Sequence, residues 1–102
     1  RTKKAAIKGL QTELNKQFGK GLKVDGIWGP KTRAACVTVR TSARGNITKI
    51  VQGMLYCKGY NPKYLDGIFG RATADSVLSF QRDHGLAQDA IVGKRTFEKL
   101  FA

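Results

Sequence analysis

Seven carboxylates, one histidine and two cysteines are the groups from which this 102-residue chain could build an active centre or a metal site. Three of the carboxylates, Asp25, Asp66 and Asp89, open the same octapeptide: D-G-I-W-G-P-K-T at 25–32, D-G-I-F-G-R-A-T at 66–73 and D-A-I-V-G-K-R-T at 89–96. Glycoside hydrolysis needs two carboxyl groups about 5 to 9 Å apart across a cleft, and three aspartates in separate turns do not supply that pair. An Asp followed by Gly more commonly accepts bonds from its own backbone N–H groups. His84, beside Gly85, reads as a solvated residue interacting with a helix end rather than as a base or ligand. Cys36 and Cys57 have no Cys or His neighbours at ligand spacing, so no metal is expected. The two thiols could pair in an exported protein, but the ordinary reading is of small buried apolar groups. Neither a catalytic centre nor a cofactor is read from this set.

Binding has better material. Each octapeptide ends in a helix N-terminus, at Gly29, Gly70 and Gly93, where free N–H groups and the positive dipole end suit a carboxylate. Arg71, Lys94 and Arg95 fall in first turns, where their charge opposes the dipole but helps to hold an anion. Of the aromatic residues, Tyr60 and Phe69 read as core, whereas Trp28 and Tyr64 are equally suited to the core and to stacking on a sugar face. The candidate ligand-binding set is Asp25, Trp28, Tyr64, Asp66, Gly70, Arg71, Lys94 and Arg95.

These residues must be positioned by turns that feed helices. In each motif Asp-Gly makes the reversal, the β-branched Ile is expected to turn inward as an anchor, and the second Gly falls at the helix N-cap. Pro30 stands at a first helical position, where its missing N–H costs nothing. Gly67 is expected at positive φ, while Ala90 predicts a differently shaped third turn, since Ala tolerates φ > 0 poorly. Ile7, Leu10, Leu14 and Phe18 recur at helical spacing over 4–18, and Gly19 and Gly21 stop that helix. A second helix runs from Pro30 to about Val39, with small Ala34, Ala35 and Cys36 as a close-contact face. Asn46 reads as the N-cap of a helix bearing Ile47, Ile50, Val51, Met54 and Leu55, and Gly59 and Tyr60 close it. Helices over 71–84 and 94–101 follow. The fold class is all-α: a compact bundle of about five helices with D-G-I-x-G loops and no strands beyond a minimal pair near the motifs.

The organisation is that of two unequal repeats packed together. A shift of 41 residues superposes Lys8 on Lys49, Gln11 on Gln52, Leu14 on Leu55 and Leu10 on the similar Val51 without a gap. Residues 1–46 then form a shortened unit (helix, motif, helix) and residues 47–102 a full one with three helices.

Hydrophobic residues at 41% and charged residues at 25% fit an ordinary globular domain, and no apolar run approaches the roughly 20 residues of a membrane span. The chain opens at Arg1 without a signal peptide, which leads us to expect a piece of a longer protein. Its net charge of +12 is lopsided: eleven Lys/Arg against Glu13 and Asp25 in residues 1–46, eight against five acids in the remainder. That balance favours a polyanionic partner such as nucleic acid, anionic lipid or a wall polymer, or else serves solubility.

The L-Q-x-x-L helix, D-G-I-F-G-x-x-T, V-L-S-F-Q and D-x-I-V-G-x-x-T together resemble the peptidoglycan-binding-like domain of bacterial and phage wall-lytic enzymes. The likeness covers Asn46 to Ala102 in full and Ile7 to Val39 in shortened form, with Val51, Gln52, Leu55, Phe80 and Gln81 at family positions. It departs at Ala90, and the first half lacks the F-Q helix end and the second motif. The resemblance implies a non-catalytic peptidoglycan-binding module, attached to a hydrolase such as an amidase and acting at the cell wall after secretion or phage lysis. The alternative, a small basic helical nucleic-acid binder, is disfavoured because no helix gathers Arg, Lys, Asn and Gln on one base-reading face. A purely structural spacer between domains is the third reading, and a membrane partner is not expected.

Overall fold

The apolar stripe near the N-terminus closes into the first helix, α1, Lys3–Phe18, in the computed structural model, which describes residues 3–102. Ala6, Ile7, Leu10 and Leu14 are buried along it. Phe18, expected with them, stands 48% exposed where the chain leaves the helix. Gly19 makes that exit at φ +60°, its N–H returning to the Asn15 carbonyl at 2.9 Å, the single-bond form of a left-handed helix end.

Helix α2, Pro30–Ala35, is shorter than the sequence suggested. Cys36 already has ψ 135°, and the run Val37-Thr38-Val39 supplies three β-branched side chains that favour extended backbone over a further turn. Val39 is used instead in an antiparallel bridge with Val92, through reciprocal N–H···O bonds of 3.1 and 2.7 Å. The connector continues along the second motif: Arg44 pairs with Ile68, Gly45 N–H donates to the Gly67 carbonyl, and Phe69 N–H to that of Ala43. The segment between α2 and the next helix thus fastens the third motif to the second.

Helix α3, Asn46–Cys57, buries Ile47, Val51, Met54 and Leu55. Asn46 is its first residue rather than its N-cap: Gly45 caps it at φ 121°, and the Asn46 amide donates to Glu13 across on α1. The tight pairing of Gly45 with Gly67 demands a backbone angle that Asn would adopt only under strain. Gly59 and Tyr60 close α3 as expected, with Tyr60 N–H on the Leu55 carbonyl and Gly59 N–H on that of Tyr56, the paired bonds of a Schellman motif. Helix α4, Arg71–Asp83, ends the same way through Gly85 and Leu86, and α5, Lys94–Phe101, completes the chain.

One core cluster gathers side chains from all five helices, with Phe69, Phe80, Phe97 and Phe101 the largest fully buried members. Helix α1 packs across α3, α4 lies on α3, and α5 is wedged between α3 and α2. Ala35 and Cys36 are buried where α2 ends, and Arg33 reaches across to Glu98 of α5 at 2.6 Å. The radius of gyration, 12.3 Å, matches the ~13 Å of a 100-residue compact domain. Both cysteines are free. Cys36 is the buried apolar thiol expected, burial pushing its pKa up to about 12, whereas Cys57 is exposed on the last turn of α3.

Candidate functional site

The three octapeptides are each clasped by a buried glutamine from the preceding helix. Gln11 of α1 places its amide nitrogen 3.1 Å from Asp25 Oδ1, 3.2 Å from the Ile27 carbonyl and 3.1 Å from Thr32 Oγ1, while its oxygen accepts the N–H groups of Asp25 and Gly26. Gln52 of α3 repeats the set on Asp66, Ile68 and Thr73 and accepts from Gly67. Gln81 of α4 repeats it on Asp89, Ile91 and Thr96 and accepts from Asp89 and Ala90. An amide nitrogen has two N–H bonds, so three acceptors around it require one shared hydrogen. All three glutamines are at most 1% exposed, which makes each clasp a satisfied polar island inside an apolar core.

Each aspartate uses Oδ1 twice, accepting from the glutamine and from the N–H of the Ile two residues on, at 2.9 to 3.0 Å. This is the turn role expected of the three residues. The Ile27 N–H, with Gln11 second, holds the Asp25 carboxyl below the usual carboxylate range, and the Ile68 N–H does the same for Asp66.

The isoleucines do not turn inward. Ile27 is 64% and Ile68 44% exposed, and Ile91 is half-buried. Both peptide groups of each Ile are held by the clasp, the N–H by Asp and the carbonyl by Gln, and this fixes the side chain on the outer face. The next residue points in: Phe69 and Val92 are buried, and Trp28 lies half-buried on Phe101, ring centroids 5.8 Å apart and 18° from parallel. The third turn also differs from expectation. Ala90 sits at φ +58°, close to Gly67 at +77° and Gly26 at +73°, because the same two-sided clasp imposes the same backbone whether or not a Cβ is present.

Shallow grooves open beside the first and third loops. One, of about 500 Å³, is lined by Leu22, Lys23, Asp25, Ile27, Pro30 and Lys31 among others; the second, of about 260 Å³, by Leu86, Asp89, Ile91, Lys94 and Arg95. Their walls correspond: Gly21 and Gly85 are at φ +65° and +67° and are each followed by a leucine. Asn15 shapes the first wall by bonding both the N–H and the carbonyl of Leu22.

The candidate residues are not all gathered at one point. Lys94 and Arg95 share the groove beside the third loop, and Asp25 lines the one beside the first. The Lys94 ammonium is directed to the Cys36 carbonyl at 3.3 Å, so it caps the end of α2 as well as bordering the groove. Arg71 is exposed in the first turn of α4, after Gly70, which caps that helix in extended backbone with no side-chain bond to its N–H groups. Tyr64 is 63% exposed two residues before Asp66. His84 bonds the Phe80 carbonyl at 2.8 Å through Nδ1 and stacks on that ring, the helix-end role expected of it. Tyr60 packs edge-on to Phe80 and donates to Asp83. Among the described residues no cluster of His, Cys, Asp and Glu could hold a metal, and no helix is long and apolar enough to cross a membrane.

Sequence reasoning gave no role to the glutamines or to Thr32, Thr73 and Thr96. The signal was present: every motif carries Thr seven residues after Asp and has a Gln in the helix before it.

A family model described as "Putative peptidoglycan binding domain" matches residues 44–100. Among curated proteins, the N-acetylmuramoyl-L-alanine amidase CwlM of Mycobacterium tuberculosis is 34% identical over 98 residues, covering 83% of this chain and 24% of that protein. The N-acetylmuramoyl-L-alanine amidase CwlL of Bacillus licheniformis is 30% identical over a 127-residue alignment, covering 93% and 34%. The uncharacterized protein FadG of Bacillus subtilis is 40% identical over 65 residues, covering 63% and 11%. The chain therefore spans about a third or less of these relatives. Among solved structures, a peptidoglycan-binding protein from Clostridioides difficile, crystallised with glutamine hydroxamate, superposes with a TM-score of 0.60 at 38% identity, over 64% of this chain and 40% of that one. The SleB N-terminal domain gives 0.61 at 28% identity, over 63% and 88%.

Proposed function

The chain belongs to the peptidoglycan binding domain family, a cell-wall-binding module, and from that premise we propose that it is the non-catalytic, wall-tethering part of a hydrolase such as an amidase. The observation that carries the reading is the family match over residues 44–100, the segment that holds the second and third clasped loops. Those loops present an isoleucine, helix N-termini that no side chain caps and basic first-turn residues, while their carboxylates are engaged in holding the turns. Tethering of this kind raises the effective concentration of an attached catalytic domain on an insoluble substrate. The ligand contacts we assign are Asp25, Tyr64, Asp66, Gly70, Arg71, Lys94 and Arg95 around the outer face of the loops and, at the edge it leaves uncovered beside Phe101, the half-buried Trp28. We read residues 1–46 and 47–102 as two unequal repeats, and the site of action as the wall, reached by secretion or at phage lysis. Net charge alone suited a nucleic-acid binder, and the family match gives that alternative no support.

Sedimentation with purified peptidoglycan, alongside turbidity and reducing-end assays on the same walls, tests this. The protein is expected to pellet with the walls and to release no soluble sugar or peptide. Clearing of the walls by these 102 residues would overturn the non-catalytic assignment, and protein left in the supernatant would overturn the binding one.

A further inference from the structure

The first half of the chain, most of it outside the family match, carries a charge feature that the clasps do not require. Four exposed lysines converge on the first loop. The stems of Lys4 and Lys8 run past Gly26, close enough that a Cβ there would lie 2.5 Å from Lys4 Cγ and 3.2 Å from Lys8 Cγ. Lys23 and Lys31 line the groove on the same loop. Among the described residues no carboxylate forms an ion pair with them, and only the charge of Lys23 acts on a carboxylate, that of Asp25. Asp25 is held by Ile27 and Gln11, Glu13 by Gln17 and Asn46, and the ion pairs among the described residues, Arg33 with Glu98 and Arg82 with Asp83, involve none of the four.

The second loop shows that this charge is not structural. It has the same glutamine clasp, yet a shift of 41 residues places Gly45, Lys49, Tyr64 and Ala72 where the first loop has Lys4, Lys8, Lys23 and Lys31. Three of the four lysines are thus dispensable to the turn, and confining them to one loop makes a local positive surface rather than a general solubilising charge. Flexible lysine ammonium groups are point charges for phosphate, without the forked geometry of arginine. Four of them around one loop match a row of anions better than the separate carboxylates of a peptide.

We propose that this lysine face is a second wall-contact surface, one that holds a linear phosphodiester polymer of the polyol-phosphate class beside the peptidoglycan. The choice of a wall polymer rests on the wall-binding reading above, and that of phosphodiester on the lysines.

Binding of soluble poly(glycerol phosphate) is measured for the 102-residue chain, for the reversal Lys4→Glu, Lys8→Glu, Lys23→Glu and Lys31→Glu, and for a control reversal of Lys58, Lys63 and Lys99. Circular dichroism confirms that each variant is folded. The polymer is expected to bind at low salt, to weaken steeply between about 50 and about 200 mM salt, and to lose at least about tenfold in affinity in the four-lysine variant but no more than about twofold in the control. No binding by the parent chain, an unchanged affinity in the four-lysine variant, or an equal loss in the control overturns the proposal. So does equal or tighter binding of duplex DNA at matched phosphate concentration, which would make the face a nucleic-acid surface. Walls stripped of phosphate polymer by cold hydrofluoric acid provide the separate readout: failure to pellet with them counts against peptidoglycan binding and leaves the polymer result standing.

Discussion

The turns at Gly67 and Ala90 have the same clasp and nearly the same backbone but different neighbours. At Gly67 an added Cβ would lie 2.8 Å from the Gly45 carbonyl oxygen, a backbone atom that already accepts the Lys49 N–H at the start of α3. At Ala90 the chain already carries a Cβ at φ +58°. Positive φ alone therefore does not dictate glycine here, since the clasp can hold an alanine in that region. What dictates it at Gly67 is the connector laid across the turn. Gly26 is also crowded, but by the flexible stems of Lys4 and Lys8 and the Lys4 carbonyl at 3.1 Å.

The largest effect is expected from breaking what the turns share. Gln52→Leu keeps the apolar volume but strands the Gly67 N–H and the Thr73 hydroxyl inside the core, at a cost of about 4 kcal/mol. Urea unfolding measures it, and Gln81→Leu should cost a similar amount; a loss under about 1 kcal/mol at both would mean the clasps are incidental. Next in size is Gly67→Ala, which pushes a Cβ against the Gly45 carbonyl at an unfavourable φ and should cost about 2 to 3 kcal/mol. Thermal unfolding would register this as a fall of roughly 10 °C or more.

A smaller effect concerns pH. The Asp25 and Asp66 carboxyls titrate below their ordinary value because backbone N–H groups hold the ionised form. Their contribution is present above about pH 4 and is lost as pH falls through the lowered folded-state values. Paired Asp25→Asn and Asp66→Asn substitutions should flatten the decline in urea midpoint below about pH 4; an unchanged decline would assign acid sensitivity to other groups. Smallest is Ala90→Gly, where relief of left-handed strain is offset by added chain entropy in the unfolded state, leaving a change within about 0.5 kcal/mol. A loss comparable to that of Gly67→Ala would erase the distinction between the two turns.

The helices and most of their ends were legible because they depend on residues close in sequence. Apolar spacing in α1, α3 and α5, Pro30 at a helix start, and Gly59 and Gly85 at helix ends each act through bonds within about five residues. The aspartate turns were legible for the same reason, as Asp25, Asp66 and Asp89 each bond the amide two residues on. The family resemblance is carried by the octapeptides together with the L-Q-x-x-L and V-L-S-F-Q stretches.

What the sequence could not fix was which way the motif side chains face. Ile27 and Ile68 look like anchors, since large β-branched residues usually lie inside, yet they are outside because Gln11 and Gln52, 16 residues away, take the isoleucine carbonyls and turn the following aromatic inward. The end of α2 was likewise decided at a distance, by Val39 pairing with Val92, and the shape of the third turn by Gln81 holding the Ala90 amide. In these cases the local preference of a residue is worth less than about 1 kcal/mol, while a buried donor or acceptor left without a partner costs about 1 to 3 kcal/mol. The sequence alone determined where the turns lie and where most of the helices begin and end, and the tertiary structure, by satisfying buried amides far apart in the chain, decided the end of α2 and which face of each loop a ligand can meet.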